Sequence, residues 1–203
     1  MKNLILINQR LDRIGKFKEL RDNLDVRFIK LILNLKMIPL LIPNNLKIVN
    51  NILKNKIRIK GIILSPGGNP KINDDRSRVE DKLIKFSKKR KIPLLGICRG
   101  AQKINLFFGG KIKRVKNHVR KNHSIFGSLT KKKIIKVNSY HNFGIEVSDL
   151  PKTFNILAKT QDDFVECFLS NNKKLMGIMW HPERYTHLRD FEKKILKKFF
   201  KCN

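Results

Sequence analysis

One cysteine in this chain stands where a catalytic nucleophile would be expected. Cys98 is the centre of the pentapeptide 96–100, Gly-Ile-Cys-Arg-Gly, which follows a short apolar run and precedes a segment of helical periodicity. This order predicts a strand, a sharp turn and a helix, with glycines relieving the crowding of the turn. At a helix N-terminus the free N–H groups and the dipole favour the thiolate. Cys98 is therefore a candidate nucleophile, while the pentapeptide alone also fits a buried, unreactive thiol.

A histidine and a glutamate two positions apart form the second candidate group. His181 and Glu183 follow an apolar run near the end of the chain. We expect them on a strand, where side chains two positions apart point to the same side. A carboxylate beside an imidazole fixes its tautomer and stabilises the imidazolium. With Cys98 this pair would complete a set of nucleophile, base and orienting group. Without Cys98, a strand-end histidine beside a surface glutamate would be the simpler interpretation.

Two consecutive glycines supply the third motif. Gly67 and Gly68 follow the apolar run 61–64. Because they carry no side chains, their backbone N–H groups can approach a substrate oxygen, as an oxyanion hole requires. The N–H of Arg99, directly after the cysteine, would be a second donor. Taken by itself, the glycine pair is equally typical of a plain turn.

The elements that must position these motifs indicate an α/β fold. The predicted strands cover 4–7, 37–42, 61–64 and 94–97. The predicted helices cover 17–35, 46–53, a segment with Val79, Leu83, Ile84 and Phe86 on its buried face, and the segment after Cys98. Nearly continuous apolar strands alternating with helices are typical of a mostly parallel sheet covered on both faces, a three-layer sandwich. Sites in such sheets form beyond the carboxyl ends of the strands, where the cysteine and the glycine pair are expected.

The second half of the chain has shorter elements. We expect strands, some of them antiparallel, over 124–126, 134–138, 154–159, 164–169 and 175–180, with lysine-rich turns at 131–133 and 173–174. A closing helix carries Leu188, Phe191, Ile195 and Phe199 on one face. Since no repeat or linker is apparent, residues 1–203 are expected to form a single domain.

Composition narrows the class of protein. Lys and Arg number 46 against 16 Asp and Glu, a formal charge of +30, but the excess is spread along the chain rather than clustered. This pattern favours an anionic small-molecule substrate over specific nucleic-acid binding. The N-terminal apolar run is too short for a signal peptide or a membrane span, so a cytoplasmic protein is expected. Three cysteines without a Cys-x-x-Cys pair argue against a disulfide framework and a zinc knuckle.

The order Gly-Gly, Gly-x-Cys-x-Gly-x-Gln, His-x-Glu resembles the class I glutamine amidotransferases over nearly the whole chain. The resemblance implies their flavodoxin-like fold, with Cys98 as nucleophile, His181 as general base and acid, and Glu183 as the orienting group. It also implies an oxyanion hole at Gly67, Gly68 and Arg99, and no cofactor. The glutamyl-binding residues that it implies are Gln102, Ser139, Tyr140 and His141.

Within that superfamily the chain resembles the γ-glutamyl hydrolase branch, in particular hydrolases of γ-glutamyl-CDP-amidate in capsule assembly. The resemblance lies in Asn8-Gln9-Arg10, Asn117-His118 with His123, the segment 137–143, and the segment 177–184. Basic residues and histidines would meet the phosphates of such a substrate. These are Arg10, Arg99, His118, Arg120 and His123. We predict no metal site at His118 and His123, because no third ligand has convincing spacing.

Several alternatives stay open at this stage. A general γ-glutamyl peptidase and the glutaminase subunit of a two-chain amidotransferase share the same motifs. The second would need a synthetase partner, and a homodimer is an option for either. A non-catalytic basic binding protein is the alternative of another class, although binding does not require the set Cys98, His181 and Glu183.

Overall fold

The computed structural model describes residues 3–55, 57–70, 72–131 and 133–201. Its strands are β1 (Leu4–Asn8), β2 (Arg10–Ile14), β3 (Glu19–Asn23), β4 (Ile38–Ile42), β5 (Ile59–Leu64), β6 (Leu94–Ile97), β7 (Lys113–Arg114), β8 (Val119–Ile125), β9 (Ile135–Tyr140), β10 (Phe143–Gly144), β11 (Phe154–Lys159), β12 (Val165–Ser170) and β13 (Leu175–Ile178). Its α-helices are α1 (Arg27–Asn34), α2 (Leu46–Lys54), α3 (Asp75–Arg90), α4 (Arg99–Phe107) and α5 (Asp190–Phe200). Lys132, in one predicted turn, and Cys202 lie outside the described residues.

A seven-stranded sheet organises the fold, in the order β11-β12-β13-β6-β5-β1-β4. The five strands from β13 to β4 are parallel, whereas β12 and β11 add to one edge antiparallel. The predicted mostly parallel sheet is therefore confirmed. Its parallel strands are the apolar runs of the first half together with β13. These strands are buried on both faces, so their sequences are apolar throughout rather than alternating between apolar and polar residues.

Helices cover both faces of this sheet, as the sequence predicts. On β1, Ile5 and Ile7 join one core with Phe28 of α1 and Phe200 of α5, while Leu6 faces the opposite side. The second core includes side chains of α2, α3 and α4, namely Val49, Leu53, Val79, Leu83, Ile84 and Ile104. The period of two along β1 thus separates two apolar layers, which gives the three-layer sandwich.

The predicted helix over 17–35 is wrong in its first part. A hairpin of β2 and β3 occupies that region, and only Arg27–Asn34 is helical. Leu31 and Ile32 are buried as expected, but Phe17 is 84% exposed, so it does not extend the buried face. Gly15 and Lys18 both have positive φ and form the hairpin turn, which interrupts a helix at that point.

Other differences concern element boundaries. β8 starts five residues before the predicted strand at 124, and it pairs with β9 in a sheet of its own. β13 ends at Ile178, so the predicted strand over 175–180 is shorter. Leu188 packs on the core from outside α5, which begins at Asp190. None of the helices in the described ranges has the length and apolar character that a membrane span needs.

Candidate active site

The turn that carries Cys98 is close-packed and strained. β6 ends at Ile97 and α4 starts at Arg99, so Cys98 alone joins them, with φ 51° and ψ −103°. A Cβ at Gly96 would lie 2.4 Å from the carbonyl carbon of Gly100, and one at Gly100 would lie 2.3 Å from the Leu64 oxygen. Only glycine fits at these two positions, because α4 starts directly against the sheet. The predicted strand, turn and helix are all present, and a strained non-glycine residue is typical of a functional site.

The three motifs meet at one edge of the sheet. The loop with Gly67 and Gly68 follows β5, Cys98 follows β6, and His181 follows β13, and these three parallel strands are neighbours. Backbone pairing continues beyond the strands, since the Cys98 N–H donates to the Ile178 carbonyl at 2.7 Å. Carboxyl ends of neighbouring parallel strands are where α/β proteins form their sites.

His181 and Glu183 form a buried pair beside Cys98. His181 Nδ1 lies 2.7 Å from Glu183 Oε1, and the two residues are 3% and 5% exposed. They are paired as predicted, but not by strand alternation, because β13 has already ended. The chain instead turns into the 3-10 helix Pro182–Arg184, which brings Glu183 back to the imidazole. Nε2 of His181 has no nitrogen or oxygen partner in the described ranges, which leaves it to Cys98.

The charge on His181 follows from this environment. Burial by itself lowers its pKa, but attraction to the Cys98 thiolate and to the Glu183 carboxylate outweighs burial and raises the pKa to about 10. The imidazole is therefore protonated at neutral pH. A protonated histidine next to a cysteine stabilises the thiolate that nucleophilic attack requires and carries the proton that a leaving group needs.

Two residues of β9 hold the backbone and ring of His181. The Asn138 side chain donates to the His181 carbonyl and accepts from the His181 N–H, both at 2.8 Å. The Tyr140 ring lies edge-on to the imidazole, with centroids 5.5 Å apart. The Arg184 guanidinium lies 4.2 Å from the Tyr140 ring centroid on the outer side. In the sequence Asn138 is marked only as a member of the segment 137–143, and no role is assigned to it there.

A buried carboxylate joins the glycine loop to the start of α4. Glu80 is fully buried and accepts from Asn8 at 3.0 Å, from Arg76 at 3.1 Å and from Arg99. Arg76 also donates to the carbonyls of residues 65, 66 and 67, so it grips the loop along its length. The Arg99 side chain is therefore committed to Glu80, and its predicted phosphate contact is wrong. In the sequence, Arg76 and Glu80 look like an ordinary i,i+4 surface pair.

The glycine loop has a backbone conformation that favours glycine at both positions. Gly67 and Gly68 have φ of 86° and 79°, which other residues rarely adopt. A Cβ at Gly67 would lie 2.6 Å from Cζ of Arg10, so the guanidinium packs directly on the loop. Arg99 follows the neighbouring strand β6 and is the first residue of α4. Its backbone N–H is one of the N-terminal N–H groups that have no partner within the helix.

The histidines at 118, 123 and 141 gather around Glu166 on β12. One ligand atom from each of the four residues lies within 4.8 Å of the others. Burial acts to raise the pKa of Glu166, but the His123 and His141 imidazoles lower it to about 2. An ionised carboxylate at the centre disfavours phosphate, and the phosphate role of His118 and His123 stays a prediction. No third ligand was apparent from sequence spacing, but the fold brings His141 and Glu166 to the same cluster.

Comparison with known proteins identifies the family. The model of the family "Glutamine amidotransferase class-I" matches residues 18–202. This chain belongs to the class-I glutamine amidotransferases. Among curated relatives, a γ-glutamyl-CDP-amidate hydrolase of Campylobacter jejuni is 38% identical over 148 residues, 70% of this chain and 70% of that protein. Anthranilate synthase component 2 of Cyanophora paradoxa is 34% identical over 180 residues, 84% of this chain and 88% of that protein.

Solved structures agree on the fold. The crystal structure of a proposed GMP synthase subunit from Thermoplasma acidophilum superimposes with a TM-score of 0.71 at 22% identity. The match covers 99% of this chain and 94% of the other. The two proteins therefore share the same fold over nearly their whole length.

The residues expected to hold a glutamyl group separate into two sets in this amidotransferase chain. Tyr140 lies beside His181, as described. Ser139 donates to the His118 carbonyl at 2.5 Å, and His141 joins the histidine cluster. Gln102 lies on α4 and donates to the Phe143 carbonyl at 2.6 Å. Tyr140 is therefore the member of the Ser139–His141 segment that the structure places next to the catalytic candidates.

Replacing Glu80 with alanine should strongly destabilise the protein. Two buried guanidinium groups would lose their counter-charge, so we expect the free energy of unfolding to fall by about 3–5 kcal/mol. Urea unfolding measures this change. The matched control is Asp75→Ala, which removes an exposed partner of Arg78 on the same helix and should cost less than about 1 kcal/mol. Equal losses for the two variants would contradict the role of Glu80.

The protonation of His181 should depend on Cys98. In Cys98→Ala the attraction to the thiolate is gone, so the pKa of His181 should fall well below the wild-type value of about 10. NMR titration of the labelled imidazole measures both values. Identical titrations in the two proteins would show that Cys98 and His181 do not interact.

The same shift predicts how stability varies with pH. The folded-state pKa of His181 lies above its ordinary value of 6.5, so protonation stabilises the fold. This contribution is complete below about pH 6.5 and is lost as the pH rises towards 10. The difference in free energy of unfolding between wild type and His181→Gln should therefore shrink from pH 7 to pH 10. A difference that grows over this range would contradict the assignment.

Proposed function

We propose that this chain is a cysteine-dependent hydrolase that cleaves a γ-glutamyl amide through a thioester, with γ-glutamyl-CDP-amidate as the preferred substrate. The observation that carries the proposal is the strained Cys98 at the start of α4 beside a protonated His181 that is 2.7 Å from Glu183. Membership of the class-I glutamine amidotransferases supports the chemistry. Similarity to the Campylobacter jejuni hydrolase supports the substrate.

In the first half-reaction, the Cys98 thiolate attacks the γ-carbonyl carbon. The developing oxyanion accepts from backbone N–H groups of the Gly67-Gly68 loop and of Arg99, which Arg76, Glu80 and the packed start of α4 hold in place. The tetrahedral intermediate collapses by breaking the C–N bond, while His181 gives its Nε2 proton to the leaving nitrogen. A γ-glutamyl thioester on Cys98 and neutral His181 result.

In the second half-reaction, His181 acts as a base. It takes a proton from water, and the hydroxide attacks the thioester carbonyl over the same oxyanion donors. The C–S bond breaks, glutamate leaves, and the thiolate and imidazolium are restored. Glu183 keeps the imidazole in one orientation through both steps, and Asn138 fixes its backbone.

Cationic side chains at the edge of the site favour an anionic leaving group. Arg10 packs on the glycine loop with its side chain 36% exposed, and Arg184 lies over Tyr140 with its side chain 31% exposed. Arg10 pairs with the partly exposed Asp12 at 3.1 Å and Arg184 lies 4.0 Å from Glu183, but neither guanidinium is buried like that of Arg99. Both are therefore accessible to the phosphates of a nucleotide-linked substrate, and Arg is well suited to bind phosphate through paired hydrogen bonds.

Glutamate release tests the proposal directly. Purified wild type is compared on γ-glutamyl-CDP-amidate, glutamine and a simple γ-glutamyl amide, with Cys98→Ala and Cys167→Ala as variants. We expect preferential turnover of the nucleotide substrate, which is lost in Cys98→Ala and retained in Cys167→Ala. Burial raises the pKa of the Cys167 thiol, so this thiol stays uncharged and is no nucleophile. Failure to release glutamate from any of the three substrates would contradict a stand-alone hydrolase.

Substrate discrimination should depend on Arg184. Arg184→Gln removes a charged donor, so KM for γ-glutamyl-CDP-amidate should rise about tenfold or more, with little change for glutamine. Steady-state kinetics on both substrates measures the ratio. Arg90→Gln is the charge-matched control, since Arg90 is an exposed residue at the far end of α3. An equal effect of both variants would show that net charge, not a local contact, sets the preference.

A second candidate is the glutaminase component of a two-chain amidotransferase. The similarity to anthranilate synthase component 2, which spans most of both chains, favours it. This candidate predicts glutamine as the best of the three substrates, with turnover that rises when a synthetase partner binds. The parallel assay above therefore separates the two functions.

A further inference from the structure

Four potential metal ligands, three of them buried, lie close together around Glu166. His118 precedes β8, His123 lies in β8, His141 follows β9, and Glu166 lies in β12. His118, His141 and Glu166 are 4%, 3% and 0% exposed, and the His123 side chain is 15% exposed. The three imidazole centroids lie 4.7, 5.0 and 6.0 Å apart, so the rings surround a common centre.

Hydrogen bonds on the outer side of the cluster set the tautomers of two histidines. His141 Nδ1 lies 3.1 Å from the Phe143 carbonyl, which can only accept, so Nδ1 carries the proton and Nε2 is a lone pair. His118 Nε2 lies 3.2 Å from an Asp162 oxygen, so its Nδ1 is the lone pair. Both lone-pair nitrogens are buried and make no hydrogen bond in the described chain. This outer arrangement is the one that orients metal-bound histidines in proteins.

Two of the inner distances are close to those around a four-coordinate ion. Glu166 Oε2 lies 3.2 Å from His123 Nε2, and Oε1 lies 3.4 Å from His141 Nε2, yet neither contact forms an aligned hydrogen bond. A tetrahedron with metal–ligand bonds near 2.1 Å has edges of about 3.4 Å. We propose that His118, His123, His141 and Glu166 bind a divalent transition-metal ion of the zinc class.

The donor set decides the kind of ion. Three imidazoles and one carboxylate suit Zn²⁺ and its neighbours in the transition series, whereas Mg²⁺ and Ca²⁺ prefer oxygen ligands. Four protein ligands leave no open position, which is typical of a structural rather than a catalytic site.

The ion would connect the β8–β9 sheet to the central sheet. His118 and His141 lie at one end of that small sheet, His123 lies within it, and Glu166 belongs to the central sheet. His141 follows Tyr140 directly, and the Phe143 carbonyl that accepts from His141 also accepts from Gln102 on α4. Metal binding would therefore hold the 138–143 segment in place beside His181, a positioning role.

The end of β9 serves both the ligand cluster and the catalytic histidine. Asn138 and Tyr140 contact His181, whereas the intervening Ser139 bonds to His118 and the following His141 faces Glu166. Side chains of a strand alternate between its two faces, so one short segment reaches both groups. A change at the metal ligands is therefore passed to His181 through the backbone of four consecutive residues.

Metal content is the first test. The full chain, prepared without a polyhistidine tag, is analysed by inductively coupled plasma mass spectrometry and titrated with Zn²⁺ after chelation. We expect about one Zn²⁺ per chain, a melting temperature that falls on chelation, and recovery with Zn²⁺ but not Mg²⁺. Co²⁺ substitution should give the intense visible bands of a tetrahedral complex. No metal as isolated, together with no thermal shift on adding Zn²⁺, would overturn the proposal.

Matched variants locate the ion. Glu166→Gln and His123→Ala should weaken Zn²⁺ binding at least tenfold, and Asp162→Asn should weaken it about 10- to 100-fold through His118. Asp162 is exposed, so this variant remains informative even where a buried substitution prevents folding. His187→Ala controls for an exposed histidine outside the cluster, and Cys98→Ala controls for binding at the active-site thiol. Wild-type affinity in Glu166→Gln and Asp162→Asn, or its loss in Cys98→Ala, would overturn the site.

An activity measurement addresses the positioning role, and this arm alone rests on the proposed function. Chelated protein, assayed below its own melting temperature, should show a raised KM for the γ-glutamyl substrate with a smaller change in kcat. Zn²⁺ should restore KM. If glutamate release is absent in every form while Zn²⁺ still binds, the proposed function fails and the metal site stands. Unchanged KM after verified metal removal would overturn the positioning role.

Discussion

The arrangement of the chain segments after β1, β5 and β6 depends on the buried carboxylate of Glu80. It lies between two guanidinium groups, one that holds the loop after β5 and one that belongs to the residue after Cys98. Asn8, at the end of β1, donates to the same carboxylate and accepts from the Ser65 N–H. The ends of β1, β5 and β6 are thereby all connected to one carboxylate on α3. Removing one partner would leave an unpaired buried charge, which costs several kcal/mol, so the three segments keep their arrangement only as a unit.

Buried glutamates also pair with cationic or imidazole side chains elsewhere in this strongly basic protein. Among the described residues the buried acidic side chains are Glu80, Glu166, Glu183 and Glu192. Each faces basic or imidazole partners: two arginines for Glu80, three histidines for Glu166, His181 for Glu183, and Arg189, directly before α5, for Glu192. The net charge of +30 lies on the surface, where it is screened. In the interior, the few buried carboxylates pair with the basic side chains that are buried beside them and hold these side chains in position.

The sequence by itself determined the parallel sheet, its helical layers and the elbow around Cys98. Continuous apolar strands and helical periodicity are local patterns that have few alternatives, and glycines at 96 and 100 mark a close contact wherever the chain folds. It also brought His181 and Glu183 together correctly, although through a strand that ends earlier. It failed at 17–26, where apolar spacing continued through a hairpin whose turn residues were not recognised.

Tertiary structure alone decided which charged residues are buried and what they face. Arg76 with Glu80 has the spacing of a common surface pair, and Arg99 looked free to bind phosphate. His118 and His123 lacked a third ligand within reach along the chain, and the fold supplied His141 and Glu166 from a following strand end and from the central sheet. Side-chain clusters of this kind depend on distances between segments far apart in sequence. Those distances are set by how the sheets and helices pack, so no local pattern records them.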